Sequence, residues 1–170
     1  PLAEGDSETV ENYVDDPGFE VAGTALADWT ENKTATGTTA RDTSVKKHGD
    51  ASLKLVMTGG SSGQVIERNQ TLVDVDAAEV WSFQAWIRVD ELTNCKVVLD
   101  VEYTGGTPDV EVASTTVDAT KFVKLTSEGL TVPASTTAAV LRLRLEATGA
   151  SPTGTVYFDS IIAVQAATVP

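Results

Sequence analysis

Apolar and polar residues alternate along most of this chain. In the stretch 80–89, Trp81, Phe83, Ala85 and Ile87 fall on one side and Gln84, Trp86 and Arg88 on the other. In 96–103, Val97, Leu99, Val101 and Tyr103 oppose Lys96, Asp100 and Glu102. In 140–146, Leu141, Leu143 and Leu145 oppose Arg142, Arg144 and Glu146. Leu53, Leu55 and Met57 alternate with Ser52, Lys54 and Val56. Toward the end, Val156, Phe158, Ile162 and Val164 are expected on one face, with Tyr157, Asp159 and Ile161 opposite. A period of two is the signature of a strand with one buried face. Shorter segments predict further strands over 18–21, 38–43, 64–73, 110–114 and 122–127. Gly59-Gly60-Ser61-Ser62-Gly63, Thr104-Gly105-Gly106-Thr107-Pro108 and Thr148-Gly149-Ala150-Ser151-Pro152 read as loops. Such regular turn signals, with Thr and Val throughout and no sustained helical spacing, predict an all-β sandwich or barrel.

Length adds that this is one domain, large enough to bury a core without disulfides. Residues 1–14 are polar and acidic and predict an extended N-terminal arm, leaving 15–166 as the domain and 167–170 as a tail. The 25 acids against 12 bases give a net charge of −13. Nucleic-acid binding needs a basic stripe to neutralise phosphates, and the only adjacent pair of bases is Lys46-Lys47, so neither nucleic acid nor membrane is an expected partner. The single Cys95 offers no intrachain disulfide and reads as an inert, half-buried thiol. The first residues lack the basic and apolar regions of a signal peptide. Pro1 is what loss of an initiator methionine leaves, which favours a natural stand-alone chain.

Catalytic constellations are scarce. One histidine, His48, rules out multi-histidine zinc sites and reads as an exposed turn residue. Asp100 with Glu102, and Asp74 with Asp76, share a face at i, i+2, but such pairs are ordinary on solvated strands and nothing marks a glycosidase acid. The glycine-rich runs lack the lysine and helix of a phosphate loop. A non-enzymatic protein is expected.

The ordered set Asp16-Pro17-Gly18-Phe19-Glu20, Trp29, the run 45–55 containing Lys47-His48-Gly49-Asp50-Ala51-Ser52-Leu53, Gln70-Thr71-Leu72, the run 81–88, and Val156-Tyr157-Phe158-Asp159 resembles the carbohydrate-binding modules of the families-four, nine and twenty-two type. The match runs over roughly residues 15 to 165. It implies a two-sheet antiparallel β-sandwich of jelly-roll form. It also implies a structural Ca2+ joining the first and last strands, with Glu20, Asp50 and Asp159 as the metal ligands, Asp50 through its side chain or a backbone carbonyl.

For a sugar ligand, the outward register nominates Gln84, Trp86, Arg88, Asp100, Glu102, Arg142 and Arg144, provided their strands are neighbours in one sheet. A Trp on a polar register exposes apolar area that a sugar ring's C–H face can cover. The alternative is that Arg142, Arg144, Asp100 and Glu102 form a solvated ion-pair ladder and that a loop or the arm covers Trp86. Three functions are compatible with these features: a glycan-binding module displayed on a surface, with a poly- or oligosaccharide partner; a virion structural or decoration protein of a bacteriophage, attached to capsid or other virion proteins through residues 1–14; and a bacterial adhesion domain. The corresponding locations are a virion surface or the extracellular and cell surface.

Overall fold

The computed structural model describes residues 10–21 and 26–170. Ten strands form two five-stranded sheets, and every pairing is antiparallel. They are β1 (Thr30–Lys33), β2 (Thr36–Asp42), β3 (Ser52–Gly59), β4 (Val65–Leu72), β5 (Val80–Thr93), β6 (Cys95–Thr104), β7 (Val110–Ser114), β8 (Asp118–Thr131), β9 (Ala138–Ala147) and β10 (Thr153–Val164). One sheet has the order β1-β4-β9-β6-β7 and the other β2-β3-β10-β5-β8. No helix among the described residues is long and apolar enough to cross a membrane.

The alternation read from the sequence decides which side of each strand faces inward. Trp81, Phe83, Ala85 and Ile87 of β5 and Leu141, Leu143 and Leu145 of β9 are all fully buried between the sheets. Each such large side chain contributes about 1.5–3 kcal/mol of burial. Trp81 stacks on Phe83 with ring centroids 6.2 Å apart. Tyr103 also faces the core, 3% exposed, and Cys95 donates its S–H to the Thr153 carbonyl at 2.9 Å. Burial pushes the Cys95 thiol up, away from the reactive thiolate.

Three expectations change. The segment 18–21 is not a strand: Asp16 (φ 42°) and Phe19 (φ 59°) adopt left-handed backbone and make it a turn. That turn drives the Phe19 ring into the core, 5.4 Å from Trp29. Secondly, the alternation in β10 slips by one after Asp159. Ser160 (φ 51°) opens a bulge, so Ile161 and Ala163 point inward where Ile162 and Val164 were expected to lead.

Thirdly, residues 10–14 are not a free arm. Asn12 grips the bulged strand, donating its Nδ2–H to the Ile161 carbonyl at 2.9 Å and accepting the Ala163 N–H at 3.0 Å. The Tyr13 N–H meets the Ala163 carbonyl at 2.9 Å, the Tyr13 ring packs 4.8 Å from Trp81, and Val14 is buried. Ile161 N–H in turn donates to the Pro17 carbonyl at 2.9 Å. The opening segment and the closing strand therefore lie side by side, through loop-to-strand bonds. Residues 1–9 of the expected arm lie outside the described residues.

Candidate functional site

The seven outward residues nominated for a ligand do not share one face. β5 belongs to one sheet, while β6 and β9 are neighbours in the other. The outer faces of a sandwich look in opposite directions, so Gln84, Trp86 and Arg88 are separated from Asp100, Glu102, Arg142 and Arg144. Alternation along a strand fixes inside against outside; it carries no information on which sheet the strand joins.

On the first sheet's outer face the charges answer one another. Arg142 bonds Asp100 and Glu102. Arg144 reaches Glu67 at 3.2 Å and Asp100 and Glu146 at 3.4 Å. Lys96 lies 2.5 Å from Glu111 and 3.4 Å from Glu146. Asp100 and Glu67 are each only 3% exposed. Burial pushes the Asp100 carboxyl up, against the pull of Arg142 and Arg144. Burial likewise works against the Arg142 charge, but the Asp100 bond and the nearby Asp100, Glu102 and Glu67 charges outweigh it and hold Arg142 up. This is the ion-pair ladder, with Glu67 as a member the register alone did not bring out. Its strands turn no aromatic residue outward.

The second sheet's outer face is different. Trp86 stands half-buried between Asp159 of β10 and Lys124 of β8 in the register. Lys47 Nζ lies 4.4 Å and Lys124 Nζ 5.3 Å from the Trp86 ring centroid. Next along, Tyr157 is nearly covered, with Lys54 Nζ at 5.4 Å and the Arg88 guanidinium at 5.7 Å from its ring. Arg88 pairs with Asp90 at 2.8 Å, and Gln84 is 3% exposed beneath its neighbours. Of the chain's three tryptophans, Trp29 and Trp81 are core, so Trp86 alone offers a ring to solvent.

A third feature sits at the corner where the chain's ends meet. A cavity of about 450 Å³ is lined by Asn12, Asp16, Glu20, His48, Asp159 and Ile162 among others. Asp159, 0% exposed, accepts the Lys47 N–H at 2.6 Å and the His48 N–H at 3.0 Å on Oδ2. Its Oδ1 accepts the Ser160 hydroxyl at 3.2 Å. Glu20 Oε2 accepts the Asp50 N–H at 2.7 Å, and a Cβ on Gly49 would collide with Glu20 Oε1, which explains a glycine at φ 62° there. Of the three acids lining the cavity, Asp16 accepts the Glu20 N–H on Oδ1 at 2.6 Å, and Glu20 and Asp159 are the expected ligands whose carboxylates would supply the hard oxygen donors calcium takes. Asp50 does not join them by its side chain, which is exposed; it contributes its N–H to Glu20 instead. Among the described residues no three His, Cys, Asp or Glu side chains gather at ion-holding spacing.

The carbohydrate binding domain family of the families-four-and-nine type matches residues 11–154. The chain belongs to that family. The module is therefore a non-catalytic binding domain. Solved structures repeat the fold at low identity. A family-61 carbohydrate-binding module in complex with β-1,4-galactotriose is 14% identical, with a TM-score of 0.68, covering 91% of this chain and 99% of its own. A family-22 xylan-binding domain from Paenibacillus barcinonensis is 21% identical with a TM-score of 0.60, over 89% of this chain and 93% of that one. A tailspike protein of bacteriophage CBA120 is 14% identical with a TM-score of 0.64, where 89% of this chain corresponds to only 21% of the tailspike. No curated protein matches the sequence.

Proposed function

We propose that this module binds a poly- or oligosaccharide on the outer face of the β5 sheet. Trp86 is the platform for the C–H face of a sugar ring; Gln84 lies covered beside it and Arg88 is held by Asp90, so the ring carries the contact. The observation that supports this is the half-buried Trp86 on an otherwise polar outward register, when both other tryptophans are sealed in the core. The opposite face, with its carboxylates and guanidiniums already paired, has fewer groups left to offer a ligand. Titration calorimetry with xylan- and galactan-type oligosaccharides tests the reading. A saturable change, abolished in Trp86→Ala, is expected. Binding kept in Trp86→Ala but lost in Glu102→Ala moves the site to the opposite sheet and refutes it.

We also infer a structural Ca2+ at the Glu20–Asp159 corner, where the ion's charge offsets two neighbouring carboxylates. Display on a surface extends the same reading. A place on a bacteriophage particle, reached through residues 1–14, is favoured by the recurrence of this fold in a phage tailspike. Deleting residues 1–9, which leaves the Asn12 and Tyr13 contacts in place, should abolish particle attachment without unfolding the domain. Normal attachment of the shortened chain overturns that placement.

A further inference from the structure

The chain carries twelve basic residues. Eight pair with carboxylates: Lys33, Lys54, Arg68, Arg88, Lys96, Lys121, Arg142 and Arg144. Two more are tied to backbone carbonyls. Arg41 donates to the Phe19 carbonyl at 2.6 Å, and Lys46 to that of Thr43 at 3.1 Å. Among the described residues only Lys47 and Lys124 have neither kind of partner, and both ammoniums lie over the same ring, Trp86.

Independent elements put them there. Lys124 is the cross-strand partner of Trp86. Lys47 comes from the loop between β2 and β3, held by the bond from its N–H to Asp159. In a chain with twice as many acids as bases, two exposed cations at one aromatic ring, without a counter-charge among the described residues, are not what chance pairing leaves. A neutral sugar gains little from them and has to displace an ammonium to reach the ring. A cation over an exposed ring is weakly held. A carboxylate or sulfate on the sugar draws both ammoniums aside into ion pairs and frees the ring face for the C–H surface.

The surrounding carboxylates do not spoil the site. Asp159 is fully buried and turned to the Lys47 and His48 amides, Asp90 is paired with Arg88, and Asp42 faces Lys54 at 4.0 Å.

We infer that the Trp86 site takes an acidic saccharide, one whose rings bear carboxylate or sulfate groups. This rests on the glycan-binding reading of the same face. The test titrates binding by calorimetry with a galacturonic-acid oligomer, its carboxyl-reduced neutral counterpart, and a sulfated galactan oligomer. It uses the native chain, Trp86→Ala, and the double variant Lys47→Gln/Lys124→Gln, whose sites are exposed and whose melting should be native. Tighter binding of either acidic oligomer than of the neutral one is expected, weakened roughly tenfold in the double variant. Which oligomer wins separates carboxylate from sulfate recognition. Equal affinity for acidic and neutral oligomers, or a double variant that binds like the native chain, overturns the acidic assignment alone. No response to any oligomer overturns it together with the platform at Trp86.

Discussion

Asp159→Asn tests the corner that holds the Lys47 loop and on which the proposed ion would depend. The native carboxylate is fully buried and accepts two backbone N–H groups at 2.6 and 3.0 Å and a hydroxyl at 3.2 Å. Asparagine keeps the shape and one acceptor oxygen, but it loses the charge and turns a donor toward groups that themselves donate. Hydrogen bonds to a charged group contribute about 1.5–3 kcal/mol each. With one oxygen still accepting, the expected loss is about 2–3 kcal/mol. For a domain of this length that lowers the melting temperature by about 5–10 °C. Thermal melts in chelator isolate this contribution. Repeating them in excess calcium adds about 2.7 kcal/mol to the native protein at a hundredfold excess over Kd, and close to nothing to the variant. A chelator-condition gap below about 0.5 kcal/mol refutes the cradle argument. An equal calcium response in both proteins, or none in either, removes the ion.

Other outcomes follow from single residues. The Tyr103 hydroxyl is buried without a hydrogen-bond partner, and burial, aided by the Asp109 charge, pushes its pKa up to about 12 from 10.0. The folded phenol thus keeps its proton between pH 10 and 12 while the unfolded one releases it, so stability falls across that window. The loss is at most about 2.7 kcal/mol, and roughly half that once solvent screening near the sheet end is allowed for. Tyr103→Phe should match or exceed native stability at neutral pH and lose this part of the alkaline decline; a destabilised Tyr103→Phe contradicts the missing partner. Arg144→Ala should cost about 3–5 kcal/mol in urea unfolding, because Glu67 and Asp100 are left buried with less counter-charge. A loss under 1 kcal/mol would mean that the ladder is solvated and weak. Asn12→Ala, which removes both bonds to the bulge, should cost about 1–2 kcal/mol, and no change would return residues 10–14 to the status of an arm.

The strands with one wet and one dry side were legible in the sequence. Trp81, Phe83, Ala85 and Ile87 are inside because a period of two with bulky residues in phase leaves no other arrangement. β1 was not legible: all four residues, Thr30–Lys33, are exposed, so no alternation marks it. The slip in β10 was hidden too, because Ser160 adopts φ 51° without a glycine to announce it. The early Pro-Gly turn looked like a strand from composition, and its left-handed Asp16 and Phe19 are set by packing. Of the site, Trp86 stood out by breaking the register rule, whereas Lys47 and Lys124 are forty or so positions to either side of it. Only the pairing of β5 with β8 and the Asp159 bond to the Lys47 loop bring them together.

The grip of Asn12 and Tyr13 on β10 has a mechanical meaning. Residue 13 and residue 163 are bonded neighbours, so anything joined at either end pulls at one corner of the sandwich. Tension between the ends falls first on the bonds of Asn12 and Tyr13 to β10, and these yield before the sheets are sheared. A tethered module built this way has a fuse beside its Glu20–Asp159 corner: load peels residues 10–14 away while β5 and its tryptophan stay seated in the sheet.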